Sequence, residues 1–303
     1  MTNLSVNIAG VTLKNPIITA SGTFGCGREM GQYVDLSEIG AVCVKAITLQ
    51  PRIGNKTPRI AETPNGMLNS VGLQNPGLEH FIKYEIPNLK KYDTKIIANI
   101  SGSTIEENCI IAERLGDMVD LIELNISCPN VKEGGVAFGT NPDTVYEITQ
   151  QVKKHAKVPL IVKLSPNVTD ITVIAKAAES GGADALSLIN TILGMRIDIN
   201  TRKPILANNV GGLSGPAVKP VAVRMVYQVA NAVKLPIIGM GGIMNGDDAV
   251  EFMLAGATAV AVGTANLIQP TACLDIKNEL LVYLNNNGIT DVNEIVGKVV
   301  LNK

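Results

Sequence analysis

The chain has 303 residues, 46 % of them hydrophobic and 17 % charged, with a formal net charge of −1. That composition supports a large core and excludes a disordered chain, and the balanced charge gives no electrostatic basis for nucleic-acid or anionic-membrane partners. Aromatic residues make up only 3 % and Trp is absent, which argues against stacking platforms for nucleic acid.

The opening Met1-Thr2-Asn3-Leu4-Ser5-Val6 lacks the basic and apolar regions of a signal peptide. Val6–Ala9 and Val11–Leu13 about Gly10 read as a hairpin, expected to plug the bottom of a barrel. Short apolar runs then recur at residues 16–21, 41–46, 95–100, 121–126, 160–164, 185–189, 236–240 and 257–262. Helical patterns separate them at 103–115, 143–155, 170–180, 216–233 and 247–255. Ser103-Thr104-Ile105-Glu106 has capping-box spacing, Asp170 and Asp247 are expected N-caps, and Gly181-Gly182 and Gly256 are expected helix stops.

Strands apolar on both faces and alternating with helices imply a parallel sheet. Eight such units imply an α/β fold, a (β/α)8 TIM barrel with an N-terminal β-hairpin and long βα-loop insertions at its C-terminal face; an open doubly wound sheet is the alternative. No linker or repeat interrupts it, so residues 1–303 are expected to form one domain. No apolar stretch is long enough to span a bilayer. Three connections, 47–77, 129–141 and 191–215, exceed simple βα loops, and each follows a strand's C-terminal end, where barrel enzymes place their sites.

The candidate chemistry gathers on that rim. Gly241-Gly242 after strand seven and Gly263-Thr264 after strand eight suit an anion, since glycine turns let backbone N–H groups approach a phosphate. Lys45 and Lys163 end strands two and five and are expected at the barrel mouth, with charges that need partners. Asn69-Ser70-Val71-Gly72-Leu73, Asn99, Asn125, Asn130, Asn190 and Thr191 read as a ring of donors and acceptors for a planar polar ligand. Gly22-Thr23-Phe24-Gly25-Cys26-Gly27 misses the dinucleotide fingerprint.

Five scattered cysteines, Cys26, Cys43, Cys109, Cys128 and Cys273, fit reduced cytoplasmic thiols, and without a Cys-x-x-Cys pair no metal site is expected from this chain alone. Cys128 follows strand four between the rim amides and is the preferred titratable group; His80 and His155 lie in helices and read as surface residues. At this level the reaction stays open, and a phosphosugar lyase or isomerase with a Schiff-base lysine uses the same phosphate turns.

Together Asn69-Ser70-Val71-Gly72-Leu73, Asn125-Ile126-Ser127-Cys128-Pro129-Asn130 and the paired glycine turns resemble dihydroorotate dehydrogenase, over essentially the whole chain. The resemblance implies an FMN-dependent oxidation of dihydroorotate to orotate in pyrimidine biosynthesis. It implies FMN contacts at Ala20, Ser21, Lys45, Ala46, Asn99, Asn125, Lys163, Ile189, Gly215, Gly241, Gly242, Gly263 and Thr264. It implies substrate contacts at Lys45, Asn69, Ser70, Val71, Gly72, Leu73, Asn125, Asn190 and Thr191, with Cys128 as the base for the C5 proton and a lid over 129–140. Within the family, the stretch 62–77 looks like the NAD-linked group, not the fumarate-linked homodimers. That group implies an iron–sulfur flavoprotein partner carrying FAD and [2Fe-2S], around a homodimeric core of a heterotetramer.

Overall fold

Residues 2–126 and 139–302 are described by the computed structural model. The chain opens with an antiparallel hairpin, Val6–Ile8 against Val11–Leu13, in the register Val6↔Leu13. Its two turn residues, Ala9 at φ 53° and Gly10 at φ 91°, take the left-handed backbone that a two-residue hairpin turn demands. Val6, Ile8 and Leu13 are buried in the main core. Asn7 and Ala9 share a groove with Pro236 and Ile237, where the seventh barrel strand begins, so the hairpin sits at the expected end of the barrel.

Eight strands follow: β1 Ile17–Thr19, β2 Ala41–Cys43, β3 Lys95–Ile100, β4 Leu121–Asn125, β5 Leu160–Lys163, β6 Ala185–Leu188, β7 Ile237–Met240 and β8 Ala259–Val262. Each pairs in parallel with the next, and β8 returns to β1 through Val260↔Ile17 and Val262↔Thr19, closing the barrel. Closure rules out the open-sheet alternative. All eight lie within the expected apolar runs; β3 fills its run and the other seven are trimmed at one end or both. β7 contains Gly239 because the helix Gly246–Leu254 packs closely there: a Cβ on Gly239 would stand 2.7 Å from Phe252.

Two helix starts differ from expectation. Thr104, not Ser103, caps Ile105–Leu115 by accepting from the Glu107 N–H, while the Glu107 carboxylate accepts from the Ser103 N–H. Asn245, not Asp247, caps Gly246–Leu254, leaving Asp247 in the first turn where a negative charge suits the helix dipole. Asp170 caps Ile171–Ser180 as expected, and Gly182 and Gly256 adopt positive φ past their helices. The 216–233 pattern splits into a 3-10 turn, Pro216–Val218, and a helix, Lys219–Ala230.

The first and third long connections are not irregular loops. Ile60–Thr63 and Gly66–Asn69 from the first join Ile192–Gly194 and Gly211–Ser214 from the third in one antiparallel sheet, ordered 192–194, 211–214, 66–69, 60–63. Glycine makes the pairing possible, since a Cβ on Gly212 would overlap the Thr191 hydroxyl. This second sheet hangs from the C-terminal ends of β2 and β6 and so stands over the barrel mouth.

Candidate functional site

A cavity lies between the barrel mouth and the second sheet. Its floor comes from strand ends: Ala20 and Ser21 after β1, Lys45 and Ala46 after β2, Asn125 ending β4, and Lys163 ending β5. Ile189, Asn190 and Thr191 follow β6, Gly241 and Gly242 follow β7, and Gly263 and Thr264 follow β8. Asn69, Val71, Gly72, Leu73 and Gly215 complete the wall from the long connections. The sequence thus placed nearly all its non-catalytic candidates around one space. Ser70 and Asn99 do not line it: both are buried, Ser70 beneath Asn55 and Asn99 against Glu123. Cys128, Asn130 and residues 129–138 of the expected lid lie outside the described residues.

The cavity has two chemical characters. Gly241 and Gly242 take φ of 126° and 87°, a backbone that a side chain would strain, and Thr264 donates to the Ser214 hydroxyl at 2.8 Å beside them. Glycine turns and hydroxyls here suit an anionic tail. Ala20, Ile189, Met240 and Ala261 give the cavity apolar lining, and Lys45, Lys163 and Asn125 give it polar groups. That combination fits a planar ring with polar edges and an anionic tail. Residues unnamed by the sequence reading, including Met67, Leu213, Ser214, Val218 and Met244, add walls.

One missed residue lies directly beneath the floor. Glu123, in the middle of β4, is 2 % exposed. It accepts from Asn99 Nδ2 at 2.5 Å and Ser187 Oγ at 2.6 Å, and its carboxylate stands 3.7 Å from Lys163 Nζ. Lys163 therefore has the partner its charge required. The signal was present in the sequence as a lone acid inside the run Leu121-Ile122-Glu123-Leu124.

The four described cysteines stay thiols at neutral pH. Burial pushes Cys26 up to about 12, helped by the nearby Glu85 charge, and burial alone pushes Cys273 up to about 12. Burial, then the Glu123 charge, holds Cys43 well above the ordinary thiol value, and burial raises Cys109 less strongly. His80 and His155 sit away from the cavity beside Glu85 and Glu113, as read from the sequence. Among the described residues no three His, Cys, Asp or Glu side chains gather as a metal site, and no helix is long and apolar enough to cross a membrane.

Known proteins resemble this chain in sequence and fold. The family model described as "Dihydroorotate dehydrogenase" matches residues 3–284. The chain is 65 % identical over 298 residues to the "Dihydroorotate dehydrogenase B (NAD(+)), catalytic subunit" of Alkaliphilus oremlandii, covering 98 % of this chain and 99 % of that one. It is equally similar, with the same coverage, to the protein of that name from Alkaliphilus metalliredigens, and 57 % identical to the one from Thermoanaerobacter pseudethanolicus. The crystal structure of the Eimeria tenella enzyme in complex with ferulenol superposes with a TM-score of 0.83 at 25 % identity, over 98 % of this chain and 88 % of that one. The chain belongs to the dihydroorotate dehydrogenase family.

Proposed function

We propose that this chain is the catalytic subunit of an NAD-linked dihydroorotate dehydrogenase, oxidising (S)-dihydroorotate to orotate in pyrimidine biosynthesis. The observation that carries the reading is the single cavity that joins the glycine turns, both strand-end lysines and the amides Asn69, Asn125 and Asn190. The names of the similar proteins specify the NAD-linked type.

FMN fits this cavity: Gly241, Gly242, Gly263 and Thr264 would hold its phosphate, and Ala20, Ser21, Lys45, Ala46, Asn125, Lys163, Ile189 and Gly215 would border its ring. When bound, FMN supplies the hydride acceptor for substrate C6. Asn69, Val71, Gly72, Leu73, Asn190 and Thr191, with Lys45, hold the planar substrate by its polar edges. Ser70 supports the wall from behind, and Asn99 supports the floor from below through Glu123. Cys128, assigned by its motif, removes the C5 proton. A partner subunit with FAD and [2Fe-2S] takes electrons onward to NAD, because this sequence has neither a dinucleotide fingerprint nor a cluster-binding Cys array. The assembly is a heterotetramer on a homodimeric core, in the cytoplasm, each copy of residues 1–303 acting as one domain. Lys163, held against Glu123 and buried, is poorly placed as a Schiff-base former, which disfavours the lyase reading.

The test is direct. The purified protein is yellow, dihydroorotate bleaches it, and NAD is reduced only after the partner subunit is added. Cys128→Ala retains FMN and loses substrate oxidation at neutral pH, whereas Cys128→Ser keeps a little that rises with pH. Protein that binds no FMN defeats the reading, full activity of Cys128→Ala defeats the base assignment, and electron transfer to fumarate without a partner defeats the NAD-linked type.

A further inference from the structure

Interiors of eight-stranded barrels are filled by branched apolar side chains, so a carboxylate there demands a reason. Five consecutive strands meet at Glu123 on β4. Asn99 of β3 and Ser187 of β6 donate neutral hydrogen bonds, the Cys43 thiol of β2 donates to Oε1 at 3.4 Å, and Lys163 of β5 supplies a positive charge. Lys163 lines the cavity; Glu123 does not. Register explains the layering, since Asn125 and not Glu123 is paired with Lys163, leaving the carboxylate one level below the floor.

A buried charge is tolerated when paired, and in a low-dielectric interior it changes the potential of its surroundings far more than a surface charge does. Removing the carboxylate leaves the full ammonium charge facing the cavity occupant. Removing the ammonium leaves a negative charge beneath that occupant. The charge near a flavin ring is one lever by which a protein sets the cofactor's electronics.

We propose that Glu123 is a positioning residue: it anchors the Lys163 ammonium at the cavity floor and sets the net charge that the floor presents to the flavin. This rests on the flavin reading of the cavity given above.

The experiment measures the midpoint potential of bound FMN in wild-type holoprotein, Glu123→Gln, Lys163→Met and the double variant, at one pH. Glu123→Gln is expected to favour reduced flavin at least tenfold and Lys163→Met to disfavour it at least tenfold; for a two-electron couple each tenfold step is about 30 mV. The double variant returns to within threefold of wild type. A purely structural role moves both single variants the same way or not at all, and that result overturns the proposal. Melting temperatures of the same four proteins give a second measure: each single variant, left with an unpaired buried group, melts below the double variant. If Glu123→Gln does not fold, a double variant that folds and regains the wild-type potential still supports the pairing, and one that matches Lys163→Met overturns it. Wild-type protein that binds no flavin overturns the functional reading and the flavin role together, while the melting comparison still reports whether the ion pair exists.

Discussion

A thiol becomes a base or nucleophile only as thiolate, and desolvation in this fold withholds that form from Cys26 and Cys273. Burial pushes Cys26 and Cys273 up to about 12. At pH 8 such a thiol is ionised on the order of one part in ten thousand. Iodoacetamide at that pH should leave both unlabelled in the folded protein and label both after unfolding, read by peptide mass spectrometry; rapid labelling of native Cys26 would contradict the burial argument. The strand-end lysines divide by environment in the same way. Lys45 borders the space shared with Asn69 and Leu73, whereas Lys163 is sunk beside Glu123. Lys45→Ala should therefore weaken both FMN binding and dihydroorotate KM by about tenfold, the cost of losing a charge-assisted hydrogen bond. Lys163→Ala should act mainly through FMN, with little change in dihydroorotate KM, as fluorescence titration and steady-state kinetics would show.

At the scale of elements, the eight barrel strands were legible because strands covered on both faces read as unbroken apolar runs. The second sheet was not. Its central pair joins Asn69 to Gly212, 143 positions apart, through strands of four residues rich in glycine, and so short a segment carries no periodicity to detect. The same local ambiguity moved two caps, since neighbouring Ser103 and Thr104 are both capping residues, and the acid Asp247 and the amide Asn245 both favour a helix start. Glu123 escaped notice because its strand is buried on both faces, so alternation could not show which side chains enter the barrel. The chain ends are joined by a cap of the same kind. Asp291 accepts from the Asn293 N–H at 2.9 Å and from Asn3 Nδ2 at 2.9 Å, and Val292 donates to the Asn3 carbonyl. The Asn293 N–H first, then the Asn3 amide, hold the Asp291 carboxyl below its ordinary value of 3.8. A depressed value means stabilisation that is present above the unfolded-state value and lost as pH falls through the folded one. Asp291→Ala should cost about 1 kcal/mol at pH 7. Denaturant titrations should find the gap from wild type narrowing as pH drops below 3.8.

At the scale of the molecule, the barrel and the second sheet enclose a cavity between two bodies of secondary structure instead of leaving it open on one surface. The floor is strand ends fixed by the closed ladder, and the wall is a sheet whose strands return from β2 and β6. A ligand in that space contacts both at once, so it stabilises the folded state and has no counterpart site in the unfolded chain. Such linkage contributes about 2.7 kcal/mol when free ligand exceeds its Kd a hundredfold. Unfolding entropy near 60 °C is about 2.1 cal/mol/K per residue, or about 0.64 kcal/mol/K for a chain of this length. Flavin-stripped protein should accordingly melt about 4 °C below the same protein with FMN at a hundred times Kd. Adding back riboflavin, which keeps the ring and lacks the phosphate, should recover only part of that difference, because the Gly241-Gly242 and Gly263-Thr264 turns are left without their anion. Full recovery with riboflavin would move the phosphate away from those turns, and no recovery even with FMN would remove the flavin from the cavity.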